Sequence, residues 1–215
     1  MNNLTVYTKS YASAVKENKV ELYKESKRLN FACKEKLDEL ISANYDMNTW
    51  CLNSERVLKD AIHEFGINRV HYILRCTILA HDKDGRISPE NLSWATQSVS
   101  SQPEKDNGLS LSAHPGLVNL LVSALRDMEK KLSFYPSEEY KEQLHRKYPV
   151  GATIKLIRMS GESLLPPGTI GTVTNIDDIG QIQVCWKNPN SSLALLEPID
   201  EFEIINPESE KESRV

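Results

Sequence analysis

From Val20 to Ala43 the positions Leu22, Ser26, Leu29, Cys33, Leu37 and Leu40 recur in steps of three and four. That spacing marks one face of an α-helix, with Asn18 as its N-cap and Asn44 closing its end. A second helix is predicted after Ser54, with Val57, Leu58, Ala61, Ile62 and Phe65 turned inward. Gly66 is its stop, at a place where a positive φ is commonly required. Ile67–Ala80 is apolar on more than one side (Val70, Ile73, Leu74, Ile78, Leu79), which predicts a central helix with neighbours around most of it. The polar run His81-Asp82-Lys83-Asp84-Gly85-Arg86 predicts a loop in which Gly85 turns the chain at positive φ. Ser88-Pro89-Glu90 reads as the N-cap and first turn of a short helix carrying Leu92, Trp94 and Ala95. Gln97–Ser112 is rich in Ser, Gln, Asn, Asp and Gly and predicts a mobile surface loop. Pro115–Leu132 is the next helix, burying Leu117, Leu121, Ala124, Leu125 and Met128, and Ser137–Lys147 is a polar helix bridging to a second domain.

At Tyr148 the period changes. Thr153–Met159, Thr169–Ile176, Gln181–Trp186, Ser192–Leu196 and Glu201–Ile205 read as five short strands. Turns fall at Pro149-Val150-Gly151, Pro166-Pro167-Gly168 and Asp178-Ile179-Gly180. So few residues cannot bury two sheets, and a small closed barrel is the expected solution. The fold class is therefore α+β: a helical N-terminal domain over residues 1–147, then a five-stranded barrel over residues 148–205. Residues 206–215 are expected to be a disordered charged tail.

Composition adds limits. The 215 residues allow one large domain or two small ones, and 40% hydrophobic with 26% charged residues suits a packed core. The longest apolar stretch, Leu117–Leu125, falls well short of the about 20 residues a membrane span needs. Met1–Lys9 is polar, without a signal-peptide core, so a cytoplasmic protein with no membrane partner is expected. Cys33, Cys51, Cys76 and Cys185 form no CxxC pair and read as reduced structural thiols.

Charge is unevenly placed. The net value is −4, made of +1 over residues 1–147 and −5 over residues 148–215. Nucleic-acid affinity comes mainly from cations that neutralise phosphates, so the C-terminal part is a poor candidate for it. Lys24, Lys27, Arg28, Lys34 and Lys36 form the candidate nucleic-acid face, although Glu21, Glu25 and Glu35 interleave with them and a solvated helix face explains them as well.

Chemistry-bearing motifs are few. An EF-hand register with Gly85 at position six puts Ala80 at position one and Asn91 at position twelve, so the first carboxylate and the bidentate Glu are missing. Two readings remain for this segment. One is a helix-to-helix turn in which Asp84 accepts backbone hydrogen bonds. The other is a contact patch of Asp82, Asp84, Arg86, Asn91 and Trp94, charged residues beside an aromatic on a fixed loop. His63, His71, His81, His114 and His145 lack HExxH or HxH spacing. Cys76 and His81 are five apart, past the facing positions of a helix. No catalytic residue, metal or cofactor is expected, and the chain reads as a non-enzyme. Trp186 is either core or an aromatic that grips a peptide. Asp177 and Asp178 start a tight turn, and their acidity makes them candidate partner contacts beside Trp186.

Two resemblances set the context. Tyr148–Ile205, with "YPVGATIKLI", "PPGTIGTV", "DDIGQIQVCW" and "IDEFEII", resembles a bacterial domain of unknown function with an SH3-like barrel. Lys187 stands where these barrels often carry Asp. Tyr7–Gln97, with "ELYKESKRLNFACKEKLDELI", "FGINRVHYIL" and "HDKDGRISPENLSWA", resembles a second domain of unknown function, typical of phages and mobile elements of Gram-positive bacteria. Residues 98–147 resemble neither. The resemblances imply an accessory protein of a phage, plasmid or conjugative element; with two compact domains, no catalytic set and an acidic barrel, it is expected to bind a host protein or ribonucleoprotein complex. Its most concrete form is an inhibitor of a defence nuclease, anti-CRISPR or anti-restriction. The alternative is a nucleic-acid-binding accessory protein, and a third reading is a hydrolase or transferase built on Cys76 and His81.

Overall fold

A computed structural model describes residues 6–97, 108–133, 135–160, 165–187 and 190–205. Most of the expected mobile loop and the whole expected tail, residues 206–215, lie outside the described residues. The chain divides into two compact units, Met1–Arg126 and Asp127–Val215.

The first unit is helical: α1 (Tyr11–Lys16), α2 (Val20–Ala43), α3 (Ser54–Phe65), α4 (Ile67–Ala80), α5 (Pro89–Thr96) and the greater part of α6 (Pro115–Lys131). Asn18 does not cap α2. It takes a φ of 54° in the link from α1, a backbone region that asparagine tolerates better than most residues, and α2 is entered through Lys19. The buried face of α2 is Ser26, Asn30, Cys33, Leu37, Leu40 and Ile41, while Leu22 is exposed. Asn53 caps α3 by accepting the Arg56 backbone N–H at 3.1 Å, and Gly66, at φ 78°, turns the chain at once into α4.

The core gathers Cys33 and Leu37 of α2, Val57, Leu58 and Ala61 of α3, and Val70, Ile73, Leu74 and Ile78 of α4. α4 is central, as its pattern predicts, and it also buries Arg69, Arg75 and Thr77. An unmet buried polar group costs about 1–3 kcal/mol, and partners reduce that cost here. Arg69 Nη1 donates to the Ser26 carbonyl at 3.1 Å and to Asn30 Oδ1. Arg75 Nε donates to the Ala95 carbonyl at 3.0 Å, and Thr77 Oγ1 accepts the Leu111 N–H at 3.0 Å.

Between α2 and α3 stands a hairpin of β1 (Tyr45–Asp46) and β2 (Cys51–Leu52), paired Tyr45 with Leu52 and Asp46 with Cys51. Its neck is held by Asn53 N–H to the Asn44 carbonyl at 3.1 Å. Trp50 closes the tip at φ 57°, a conformation that costs a bulky L-residue about 1–2 kcal/mol.

The second unit is an antiparallel sheet with helix α7 (Glu138–Lys147). The strands are β3 (Thr153–Arg158), β4 (Ile170–Ile176), β5 (Ile182–Lys187), β6 (Asn190–Ser191) and β7 (Glu201–Ile204), in the order β6-β5-β4-β3-β7. Four of these strands have four or more residues, and β6 has two. The expected strand Ser192–Leu196 contributes only an isolated bridge from Leu195 to Ile182. β6 and β7 end the sheet on opposite sides, and among the described residues no ladder joins them. Among the described residues the sheet is therefore not closed into the expected barrel. Its core is completed from α7, which adds Tyr140 and Leu144 to Ile154, Leu156, Val173, Ile182, Val184 and Trp186. α7, the helix expected to bridge two domains, packs within the second unit, which runs from Asp127 to Val215. Among the described residues, no helix is long and apolar enough to cross a membrane.

Candidate functional site

The short helix α5 is fixed at both ends of its first turn. Ser88 Oγ accepts the Asn91 N–H at 3.2 Å, and the Ser88 N–H donates to Asn119 Oδ1 at 2.9 Å. Asn91 is the centre of this contact and is wholly buried. Its Nδ2 donates to the Asn119 carbonyl (2.9 Å), Asn119 Oδ1 (2.8 Å) and Ser123 Oγ (3.0 Å). Its Oδ1 accepts Arg126 Nη1 at 2.8 Å. One amide therefore locks α5 to α6.

A groove of about 400 Å³ opens beside this lock, lined by Pro89, Glu90, Ser93, Trp94, Gln97 and Arg126. Pro89, Ser93 and Gln97 are spaced by four, as are Glu90 and Trp94, so one face of α5 supplies four of the lining residues and its C-cap Gln97 a fifth. Arg126 comes from α6. The Trp94 ring is half-buried, edge-on to His71 with centroids 4.5 Å apart. Burial, and then the nearby Arg75 charge, pushes the His71 pKa down to about 4, so its imidazole is neutral near pH 7. The groove offers an aromatic surface, a carboxylate, a guanidinium and two neutral polar side chains. That chemistry suits recognition of a polypeptide surface.

The expected contact patch is not assembled as one surface. Asn91 is inside, as the lock, and cannot meet a partner. Trp94 faces the groove. Asp84 and Arg86 are bound to each other on the preceding loop, Nε to Oδ1 at 2.8 Å and Nη2 to Oδ2 at 2.6 Å. The Arg86 guanidinium holds the Asp84 carboxyl well below the usual carboxylate range, and its Nη1 also meets His114 Nε2. Asp82 is half-buried on the same loop. Gly85 does not take a positive φ. The Asp84 side chain shapes this turn by accepting the Arg86 N–H at 3.0 Å.

In the second unit Trp186 has 0% exposure, and its Nε1 donates to the Leu193 carbonyl at 2.8 Å. It has no surface with which to grip a peptide. Asp177 accepts the Ile179 N–H (3.1 Å), the Gln181 N–H (2.8 Å) and Gln183 Nε2 (2.9 Å), so its charge is used inside the turn. Asp178 is exposed.

The basic face of α2 is electrically balanced. Lys24 pairs with Glu21 (2.8 Å), Arg28 with Glu25 (2.7 Å), Lys34 with Asp38 (3.1 Å) and Lys36 with Glu39 (3.1 Å). Lys27 is exposed, and α2 as a whole carries five cations and five carboxylates. Cys76 is buried within α4, and His81 lies just past its end. Among the described residues, no group of three or more His, Cys, Asp or Glu could hold a metal ion.

Glu90, Ser93 and Gln97 escaped the sequence reading, although their spacing with Pro89 and Trp94 was available to find them. Arg126 was not findable, because only the packing of α6 on α5 brings it near.

These features define a helical unit with a preorganised surface groove, and a second unit built as a helix-covered sheet. The chain belongs to a family described as proteins of unknown function, DUF3849, whose model matches residues 6–130. A second model, a domain of unknown function, DUF4314, matches residues 137–205. No curated protein and no solved structure gives a significant match.

Proposed function

We propose that this is a non-enzymatic accessory protein of a phage or mobile element that binds a host protein or ribonucleoprotein complex through the α5 groove. Its most concrete form is an inhibitor of a bacterial defence nuclease, anti-CRISPR or anti-restriction. The observation that carries the reading is the groove itself, with Trp94 and Glu90 on a helix face that Asn91 holds rigid. A surface fixed before binding loses less conformational freedom on association. The excess of carboxylates over cations in residues 148–215 adds support, since an acidic surface complements a nuclease's nucleic-acid channel. In the same reading the second unit derives from an SH3-like barrel. Its four successive antiparallel strands β3 to β6, with the last strand β7 returning beside β3, support that origin.

The test mixes the purified protein at high molar excess with reconstituted defence effectors and monitors their assembly, DNA binding and cleavage. Inhibition that Trp94→Ala relieves supports the proposal. Unchanged assembly, binding and cleavage would reject it. The alternative, nucleic-acid binding through Lys24, Lys27, Arg28, Lys34 and Lys36, requires an affinity that falls steeply with salt. The balanced charge of α2 favours the protein partner.

A further inference from the structure

The β1–β2 hairpin holds a second surface. Its tip is Met47-Asn48-Thr49-Trp50, and both Met47 and Trp50 are 78% exposed. Such exposure of two large apolar side chains would ordinarily accompany a mobile loop, yet this tip is internally bonded. Asp46 Oδ1 accepts the Asn48 N–H at 2.8 Å, and Asp46 Oδ2 accepts Thr49 Oγ1 at 2.8 Å. The hairpin's neck is tied to the core helices on both sides. Asn44 Nδ2 donates to the Leu40 carbonyl of α2 at 2.8 Å, and Asn53 caps α3. Trp50 is held there in left-handed backbone, a conformation that tends to persist for bulky residues where function requires it.

The charge around the tip narrows the occupant. From Asn44 to Ser54 there is no Lys or Arg, and Asp46 is the sole charge. Nucleic acid and anionic membrane both demand cations near the contact, so neither fits. Tryptophan and methionine are enriched in the cores of protein–protein interfaces, where a few such anchors carry most of the affinity. A carboxylate at the edge of that anchor pair complements a cation. We propose that the hairpin is a docking finger that inserts Trp50 and Met47 into an apolar pocket of a partner protein, with a Lys or Arg of that partner on the rim opposite Asp46. The site uses none of the residues of the α5 groove, and its occupant is defined by its own chemistry.

The experiment places a photoreactive benzoyl-phenylalanine at position 50 of the full chain in Gram-positive cells. The same group at exposed Leu120 is the control. A discrete protein adduct formed at 50 and not at 120 identifies the partner, which is then purified and titrated with three forms of the protein. Trp50→Gly is expected to weaken binding at least 30-fold while leaving the fold intact, because glycine suits a φ of 57°. Asp46→Asn keeps an acceptor for the Asn48 N–H, turns the Thr49 hydroxyl from donor to acceptor of the new amide, and removes the charge, so it is expected to weaken binding about fivefold and to flatten its salt dependence. Equal labelling at 50 and 120, a lipid, nucleic-acid or self adduct at 50, or titrations unchanged by both substitutions would overturn the proposal.

Discussion

Asn91 Oδ1 accepts Arg126 Nη1 at 2.8 Å, so a wholly buried amide on a two-turn helix holds a cation at the rim of the neighbouring groove. The same amide's nitrogen reaches Asn119 and Ser123, which makes α5 and α6 one surface and not two. Asn91→Ala removes this set, leaving Asn119 Oδ1 with the Ser88 N–H and Arg126 Nη1 without its Asn91 acceptor. The expected loss of stability is about 1–3 kcal/mol, read as a lower urea midpoint at unchanged slope. An unchanged midpoint would show that other contacts hold the groove.

His71 predicts a pH dependence. Its pKa is pushed down to about 4 by burial and by Arg75, while an unfolded histidine titrates near about 6.5. Between these values the unfolded chain binds the extra proton and the folded chain does not. Stability therefore falls as pH drops from about 6.5 towards 4, by at most about 1.4 kcal/mol per pH unit from this group. Denaturation midpoints of the wild type and His71→Gln across that window measure it, and the variant should lose this part of the slope.

Gly171 predicts a steric limit. A Cβ there would lie 2.5 Å from Val184 Cγ1 and 2.7 Å from Trp186 Cε3. Both neighbours are buried, so neither can swing away. Gly171→Ala is expected to cost about 1–3 kcal/mol through overpacking, with a lowered thermal midpoint and an altered near-ultraviolet signal from Trp186.

The cysteines divide two and two. Cys51 and Cys185 are exposed, whereas Cys33 and Cys76 are buried. Burial also pushes the Cys33 thiol up to about 12, which keeps it protonated and unreactive. A thiol reagent should label Cys51 and Cys185 rapidly in the native protein and all four only after denaturation. Rapid native labelling of Cys76 would revive the Cys76–His81 reading.

Much of the helical unit was legible because α2, α3 and α4 pack by faces that repeat every three or four residues, as Cys33 and Leu37 or Val57 and Ala61 do. The caps at Asn53 and Ser88 are local chemistry and were equally open to reading, although only that at Ser88 was read. What the pattern could not carry was anything set by packing between distant segments. Asn91 looked like a polar surface residue because its partners lie 28 to 35 residues away. Trp186 stayed open between core and peptide contact because Leu193, its hydrogen-bond acceptor, lies beyond a turn whose course the sequence does not dictate. α7 looked solvated because Tyr140 and Leu144 are a thin stripe on a charged helix, and the sheet that buries them had been expected to close on itself.

The place of α7 also bears on how such a protein can be assembled from parts. Tyr140 and Leu144 are packed into the sheet's interior, and Gly180 passes so near them that a Cβ there would sit 3.6 Å from each. A recombination joint placed between the helix and the sheet would leave the sheet with an uncovered apolar side and the helix with nothing to cover. The matched stretch of residues 137–205 begins just before α7. The helix and the sheet thus make one packing unit, and a seam that keeps both intact lies no later than Ser137.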